Sequence, residues 1–184
     1  MTLLEKIQRH EARVAVIGLG YVGLPLAVEV ARAGFHVTGY DKSSERAASV
    51  SRGSSYIKDV PNSVLQAEMQ AGRLVATADP DCLAEADVAI ICVPTPLNKS
   101  KAPDNSYIIA AADDLLPRMH RDMLIVLEST TFPGFTREVL LPRLSESGLR
   151  PGEDFFLAFS PERVDPGNER FQTHNTPKVV GGMS

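Results

Sequence analysis

Short apolar runs alternate along this chain with longer segments whose apolar residues recur at helical spacing. Arg13 to Ile17 (RVAVI) is β-branched and is read as a strand. Tyr21 to Ala33 has helical periodicity, with Val22, Leu26, Ala27 and Val30 on one side. Gly34 follows at the position where helices commonly stop. Phe35 to Tyr40 reads as a second strand, and Ser43 to Ser51 and Ser63 to Ala71 as helices around a loop over 53–62. Leu74 to Thr77 is a weaker third strand and Asp87 to Val93 (DVAIICV) a strong fourth. A helix over Ser106 to Met119, capped by Ser106, precedes a fifth strand at Met123 to Leu127. Phe135 to Ser147 reads as a helix bent by Pro142, Phe155 to Phe159 as a sixth strand and Lys178 to Val180 as a seventh.

Strands that read as continuous apolar runs are buried on both faces, as in parallel sheets. Strands alternating with helices imply right-handed crossovers and an α/β, doubly wound, mostly parallel sheet. No internal repeat or low-complexity tract interrupts the alternation. The loop Pro94 to Asn105 (PTPLNKSKAPDN) is polar and proline-rich. It follows the carboxyl end of the fourth strand, where open α/β sheets bind ligands.

Composition narrows the partners. The 184 residues carry a net charge of −4 and are 43% hydrophobic, the size of one large domain or a domain plus a fragment. A chain this long buries about 70% of its unfolded surface, enough to fold without staples. Mild acidity with no basic run argues against nucleic acid. Cys82 and Cys92 make no disulfide framework, and residues 1–13 lack the apolar stretch of a secretory signal. Apolar runs such as Val88 to Val93 are too short to cross a bilayer, so a soluble cytoplasmic protein is expected. The four histidines (His10, His36, His120, His174) show no metal-ligand spacing, and no metal is expected.

The first chemistry lies between the first strand and helix. Gly18-Leu19-Gly20-Tyr21-Val22-Gly23 fits G-x-G-x-x-G, a weak signal alone but stronger in strand–turn–helix context. Gly18 serves the tight turn, Gly20 the approach of a pyrophosphate, and Gly23 the close packing of helix on strand. The helix N-terminus offers N–H groups and partial positive charge to the phosphates, and Pro25 is tolerated in a first turn. Asp41 closes the second strand 18 residues beyond Gly23, where a carboxylate accepts the adenosine ribose hydroxyls. The pattern defines a Rossmann-type dinucleotide-binding domain. Asp41 favours NAD over NADP, because a phosphate charge about 4 Å away costs about 4 kcal/mol at an effective dielectric of 20. Lys42 and Arg46 pull the other way, since either is able to neutralise a 2′-phosphate, and Arg46 is equally able to lie along the adenine. Two rivals stand: glycines that only make a turn with Asp41 capping a helix, and a methyltransferase glycine loop.

Four stretches in order, VAVIGLGYVGLPLA, ICVPTP, VLESTTFPG and FSPERVDPGN, resemble the nucleotide-sugar 6-dehydrogenases, the UDP-glucose and GDP-mannose dehydrogenase family. The last stretch is similar to the branch that oxidises UDP-N-acetylhexosamines, UDP-N-acetylglucosamine first, rather than to the SPEFLxEG pattern of the UDP-glucose enzymes. The resemblance implies oxidation of a sugar C6 hydroxyl to a carboxylate with two NAD. An aldehyde forms, a cysteine adds to it, and a thioester is hydrolysed with help from a positioned acid or base.

Carried over residue by residue, the resemblance implies a cofactor site of Gly18, Leu19, Gly20, Tyr21, Val22, Gly23, Asp41 and Arg46. Val93, Pro94, Thr95 and Pro96 line the cofactor's middle, and Ser129 and Thr130 lie near the nicotinamide. Thr130 orders a catalytic water and Glu162 serves the hydrolytic step. Glu162, Arg163, Val164 and Asp165 meet the substrate, with Asp165 standing where the UDP-glucose branch has glutamate. Blander readings make Ser129 and Thr130 helix caps and Glu162 a loop carboxylate shaped by Pro161, Pro166 and Gly167. Cys92 reads as packing inside an apolar strand, and Cys82, at a helix start, as partly reactive but far from the motifs. In the family the nucleophilic cysteine, a substrate-binding lysine, a long central helix and the substrate domain come after this point. The expectation is therefore an NAD-binding domain over 1–184, the N-terminal half of an enzyme that is a homodimer at full length. Two alternatives remain open: a non-catalytic NAD-binding or NAD-sensing module, and a dehydrogenase of small alcohols or hydroxy acids, for which no base is suitably placed.

Overall fold

A computed structural model describes residues 1–97, 103–163 and 173–183. The elements run α1 (Leu3–Gln8), β1 (Arg13–Ile17), α2 (Gly23–Arg32), β2 (His36–Tyr40), α3 (Ser44–Ser51), α4 (Asn62–Gln70) and β3 (Leu74–Thr77). A short 3-10 helix, Pro80–Glu85, leads into β4 (Val88–Ile91). Then come α5 (Ser106–Leu115), β5 (Met123–Leu127), a π-helical turn (Thr136–Leu140), α6 (Leu141–Ser145), β6 (Phe155–Phe159) and β7 (Gly181–Gly182).

The strands form one sheet in the order β3-β2-β1-β4-β5-β6-β7, parallel except for the antiparallel β6–β7 pair. Alternation along β1 divides the core. Val14 and Val16 pack with Leu24, Ala27 and Leu65 of α2 and α4. Ala15 and Ile17 face Ile108, Leu115 and Leu144 of α5 and α6 on the opposite side. Truncating fully buried chains such as Leu24 or Leu115 to alanine costs about 2–5 kcal/mol each. The strand order reverses between β1 and β4, which places the ligand crevice at their carboxyl ends.

The expected α/β doubly wound sheet is present, with local departures. α1 was not anticipated: Thr2 and Glu5 close a capping box around it, and Lys6 pairs with Asp87 below β4. The buried face of α2 is Leu24, Ala27, Val28 and Ala31, whereas Val22, Leu26 and Val30 are only half-buried. This helix is apolar on most sides, so periodicity alone misplaced the face. Helix α5 starts rather than is capped at Ser106, whose N–H donates to Asp104 (3.0 Å). Pro142 widens its helix instead of simply bending it. Its ring has no N–H and clashes with the carbonyl four residues back, and the π turn just before it absorbs the misfit. The seventh strand lies at Gly181–Gly182, just past the Lys178 to Val180 expected. Among the described residues no helix is long and apolar enough to cross a membrane.

Candidate functional site

The glycine turn follows β1 with each glycine under a different constraint. Gly18 has φ +93°, and a Cβ there would stand 3.0 Å from the Cys92 carbonyl oxygen. At Gly23 a Cβ would lie 1.8 Å from the Gly18 carbonyl oxygen, so helix and turn touch backbone to backbone. A Cβ on Gly20 meets nothing within 4 Å and would project into open space. The N-cap of α2, Val22, makes no side-chain capping bond, which leaves the helix N-terminus to a ligand. Open space at Gly20 beside an uncapped helix end fits a pyrophosphate.

Asp41, buried just past β2, is tied into this turn. Its Oδ2 accepts the Leu19 N–H (2.9 Å) and its Oδ1 the Ser43 N–H (2.8 Å). A carboxylate oxygen accepts more than one donor, so both retain capacity for ribose hydroxyls. The helix cap at this place is Ser43, not Asp41. Leu19 is wholly buried, so only its backbone serves the site. Its carbonyl accepts the hydroxyl of Tyr56 (2.6 Å), which ties the turn to the loop between α3 and α4. Burial, and then the charge of Asp41, push the Tyr56 phenol up to about 12, so it remains a donor at neutral pH.

Beside this turn opens a cavity of about 720 Å³, whose wall includes Gly18, Asp41, Arg46, Tyr56, Val93 and Pro94. Its size suits a nucleoside-scale ligand. Tyr107, Ala110, Ala111 and Asp114 of α5 form the opposite wall. Asp114 accepts from the Tyr40 hydroxyl (2.8 Å) and pairs with Lys42 (3.0 Å). Burial and the Asp114 hydrogen bond raise the Tyr40 pKa well above the usual phenol range. Lys42 is thereby engaged on the α5 side, while the Arg46 guanidinium lies 3.8 Å from Asp41. Sequence reasoning passed over Tyr40, Tyr56, Tyr107 and Asp114. The aromatic residue just before the ribose acid was the available signal for Tyr40.

The other expected residues lie around the carboxyl ends of β4, β5 and β6. Thr95 and Pro96 are outside the cavity wall, and the Pro96 carbonyl accepts the Asp104 N–H (2.7 Å), closing the stem of the β4–α5 loop. Ser129 is buried and caps no helix: its hydroxyl donates to the Val93 carbonyl (2.7 Å), tying β5 to β4. Thr130 beside it is exposed. Glu162 accepts the Arg163 N–H (2.7 Å), and Arg163 is exposed. Val164 and Asp165 lie outside the described residues.

Between these residues sits a cluster that sequence patterns did not mark. Glu128 is buried at the end of β5, paired with Lys178, and accepts the Cys92 thiol (3.4 Å). The Lys178 ammonium also reaches Glu162 (3.9 Å). A carboxylate directly after the apolar run MLIVL was the signal for Glu128; nothing in the sequence pointed to Lys178. Burial and the Glu128 charge raise the Cys92 thiol far above its ordinary range, in keeping with a packing role. Cys82, half-buried, is pushed up to about 11 mainly by burial, which removes the reactivity expected at a helix start. Among the described residues no group of histidine, cysteine and carboxylate side chains is arranged to hold a metal.

A parallel sheet with a glycine turn, an uncapped helix end and a buried acid after β2 defines a Rossmann-type dinucleotide-binding domain. Residues 12–184 match the model of the UDP-glucose/GDP-mannose dehydrogenase family, NAD binding domain. The chain belongs to that family, and its dinucleotide is NAD. It is 36% identical over 176 residues to UDP-N-acetyl-D-glucosamine 6-dehydrogenase of Salmonella typhi, covering 95% of this chain and 40% of that protein. To UDP-N-acetyl-D-mannosamine dehydrogenase of Pyrococcus horikoshii it is 37% identical over 173 residues, covering 94% and 41%. Among solved structures, NDP-N-acetyl-D-galactosaminuronic acid dehydrogenase of Methanosarcina mazei superposes with a TM-score of 0.86 at 32% identity, covering 100% of this chain and 42% of that one. The chain thus spans about 40% of the length of the curated relatives it matches.

Proposed function

We propose that this chain is the cofactor half of an NAD-dependent nucleotide-sugar 6-dehydrogenase acting on a UDP-N-acetylhexosamine, with UDP-N-acetylglucosamine the first choice. The observation that carries the reading is Glu162 at the carboxyl end of the sheet, held beside a buried Glu128–Lys178 pair in the nicotinamide half of the fold. A domain that only senses NAD has no use for a carboxylate so placed. The relatives named for UDP-N-acetyl-D-glucosamine and UDP-N-acetyl-D-mannosamine support the substrate class.

Bound NAD supplies the hydride acceptor. The glycine turn and the N-terminus of α2 hold its pyrophosphate, Asp41 its adenosine ribose, and Arg46, Val93, Pro94, Thr95 and Pro96 flank it. Ser129 fixes the ends of β4 and β5, Thr130 orders the water of the hydrolytic step, and Glu162 exchanges a proton with it. Arg163, Val164 and Asp165 contact the sugar nucleotide. The nucleophilic thiol comes from the remainder of the enzyme, since burial disfavours the thiolate of both Cys82 and Cys92. The assembled enzyme is a cytoplasmic homodimer.

The test is NADH formation from UDP-N-acetylglucosamine by the protein expressed from its full reading frame. Two NADH per sugar are expected, and Glu162→Gln should lower turnover by about 10²-fold or more. Saturable NAD binding without NADH from any UDP-sugar would favour the sensing module instead.

A further inference from the structure

Lys178 stands between two carboxylates. Its side chain is 20% exposed, and those of Glu128 and Glu162 are 4% and 14% exposed. The backbone explains how the three meet. The Glu128 N–H donates to the Ile91 carbonyl (2.9 Å), which fixes Glu128 against the end of β4. β6 and β7 are antiparallel, with Ala158 opposite Gly182 and Phe159 opposite Gly181. Continuing that register beyond the last ladder bonds sets Lys178 opposite Glu162. The Met183 N–H, donating to the Leu157 carbonyl (2.9 Å), holds the returning strand in place. The segment that leads into antiparallel β7 therefore carries an ammonium group back over the carboxyl end of β6.

A buried ion pair is a poor device for stability, because apolar residues of similar volume generally serve as well. A lysine ammonium paired with one carboxylate, however, still attracts a second: Glu162 lies 3.9 Å away, an ion-pair contact rather than a hydrogen bond. Glu128 is sequestered, and among the described residues its carboxylate also accepts the Cys92 thiol. Glu162 is the less completely buried of the two carboxylates, and the reactive role proposed above falls to it. The asymmetry separates the three side chains by role, with Glu128 as the anchor, Lys178 as the bridge and Glu162 as the group that is held.

We propose that Lys178 is a positioning residue that holds Glu162 in one rotamer at the nicotinamide end, with Glu128 as its buried anchor. The inference deepens the reading of Glu162 as the working carboxylate and rests on it. Lys178 is not part of the cavity wall beside Asp41, so its removal should leave NAD affinity unchanged while loosening Glu162. Lys178→Met alone strands the Glu128 charge and risks misfolding. The informative variant is therefore the neutral double replacement Glu128→Gln with Lys178→Met, and Lys178→Arg is the conservative control.

The measurement is the three-bond couplings across χ1 of Glu162, read by NMR on the isotope-labelled chain. Couplings of a single rotamer are expected in the parent and in Lys178→Arg, and rotamer-averaged couplings in the double variant. In the protein expressed from its full reading frame, the double variant should lose about 10²-fold in kcat, the scale of a misplaced reacting group, with KM for NAD unchanged. Unaltered Glu162 couplings in the folded double variant would overturn the proposal. Full turnover by Glu162→Gln would instead overturn the reading on which it rests, whatever the couplings show.

Discussion

Gly20 and Gly23 stand three residues apart under opposite constraints. A methyl group at Gly23 would be driven into the Gly18 carbonyl, whereas one at Gly20 would meet nothing within 4 Å and would intrude only on the space proposed for the pyrophosphate. Gly23→Ala should therefore lower thermal stability by several degrees and weaken NAD binding as a consequence. Gly20→Ala should melt with the parent and still bind NAD at least tenfold more weakly, about 1.4 kcal/mol. Thermal melts beside calorimetric titrations separate the two. Both glycines were legible because the turn's geometry demands them. The second bonds of Asp41, to Leu19 and Ser43, were not, since they depend on where the glycine turn comes to rest beside β2.

Secondary elements show where sequence patterns stop being informative. β1, β5 and β6 coincide with their apolar runs because strands covered on both faces have few polar positions to blur their ends, and the edge strand β3 keeps its expected bounds although only Leu74 in it is buried. The face of α2 was misread because nearly every position on it is apolar. β7 was expected a few residues early, at Lys178 to Val180, because two glycines have no hydrophobic signature and their place is fixed by register with β6. The turn before β6 carries a pH-dependent contact. Asp154, buried, accepts both the backbone N–H and the Nε–H of Arg150 (3.0 and 2.9 Å), with Arg121 3.4 Å away. These partners, the Arg150 side chain foremost, pull its carboxyl down to about 2. A lowered pKa stabilises the fold fully above the unfolded value of about 3.9, and that contribution is lost as pH falls toward the folded value. Denaturant midpoints measured from pH 5 to pH 2 should thus fall less steeply in Asp154→Asn than in the parent. Parallel curves for the two would contradict the assignment.

For the molecule as a whole, an uninterrupted rhythm of strand and helix was enough to give the parallel sheet. The strand order reverses between β1 and β4, and the glycine turn sits at that switch point. The α5 wall of the nucleoside cavity was not legible, because Tyr107 and Asp114 belong to a helix whose docking on the sheet is a tertiary fact. The same holds for Lys178, some 50 residues from its partner Glu128. Calorimetric titration of the 184-residue chain with NAD and with NADP decides whether the cavity beside Asp41 takes the adenosine end of NAD. Saturable NAD binding is predicted, with NADP at least tenfold weaker and the difference narrowed by Asp41→Asn. NADP binding as tightly as NAD, or a folded chain that binds neither, would contradict the account.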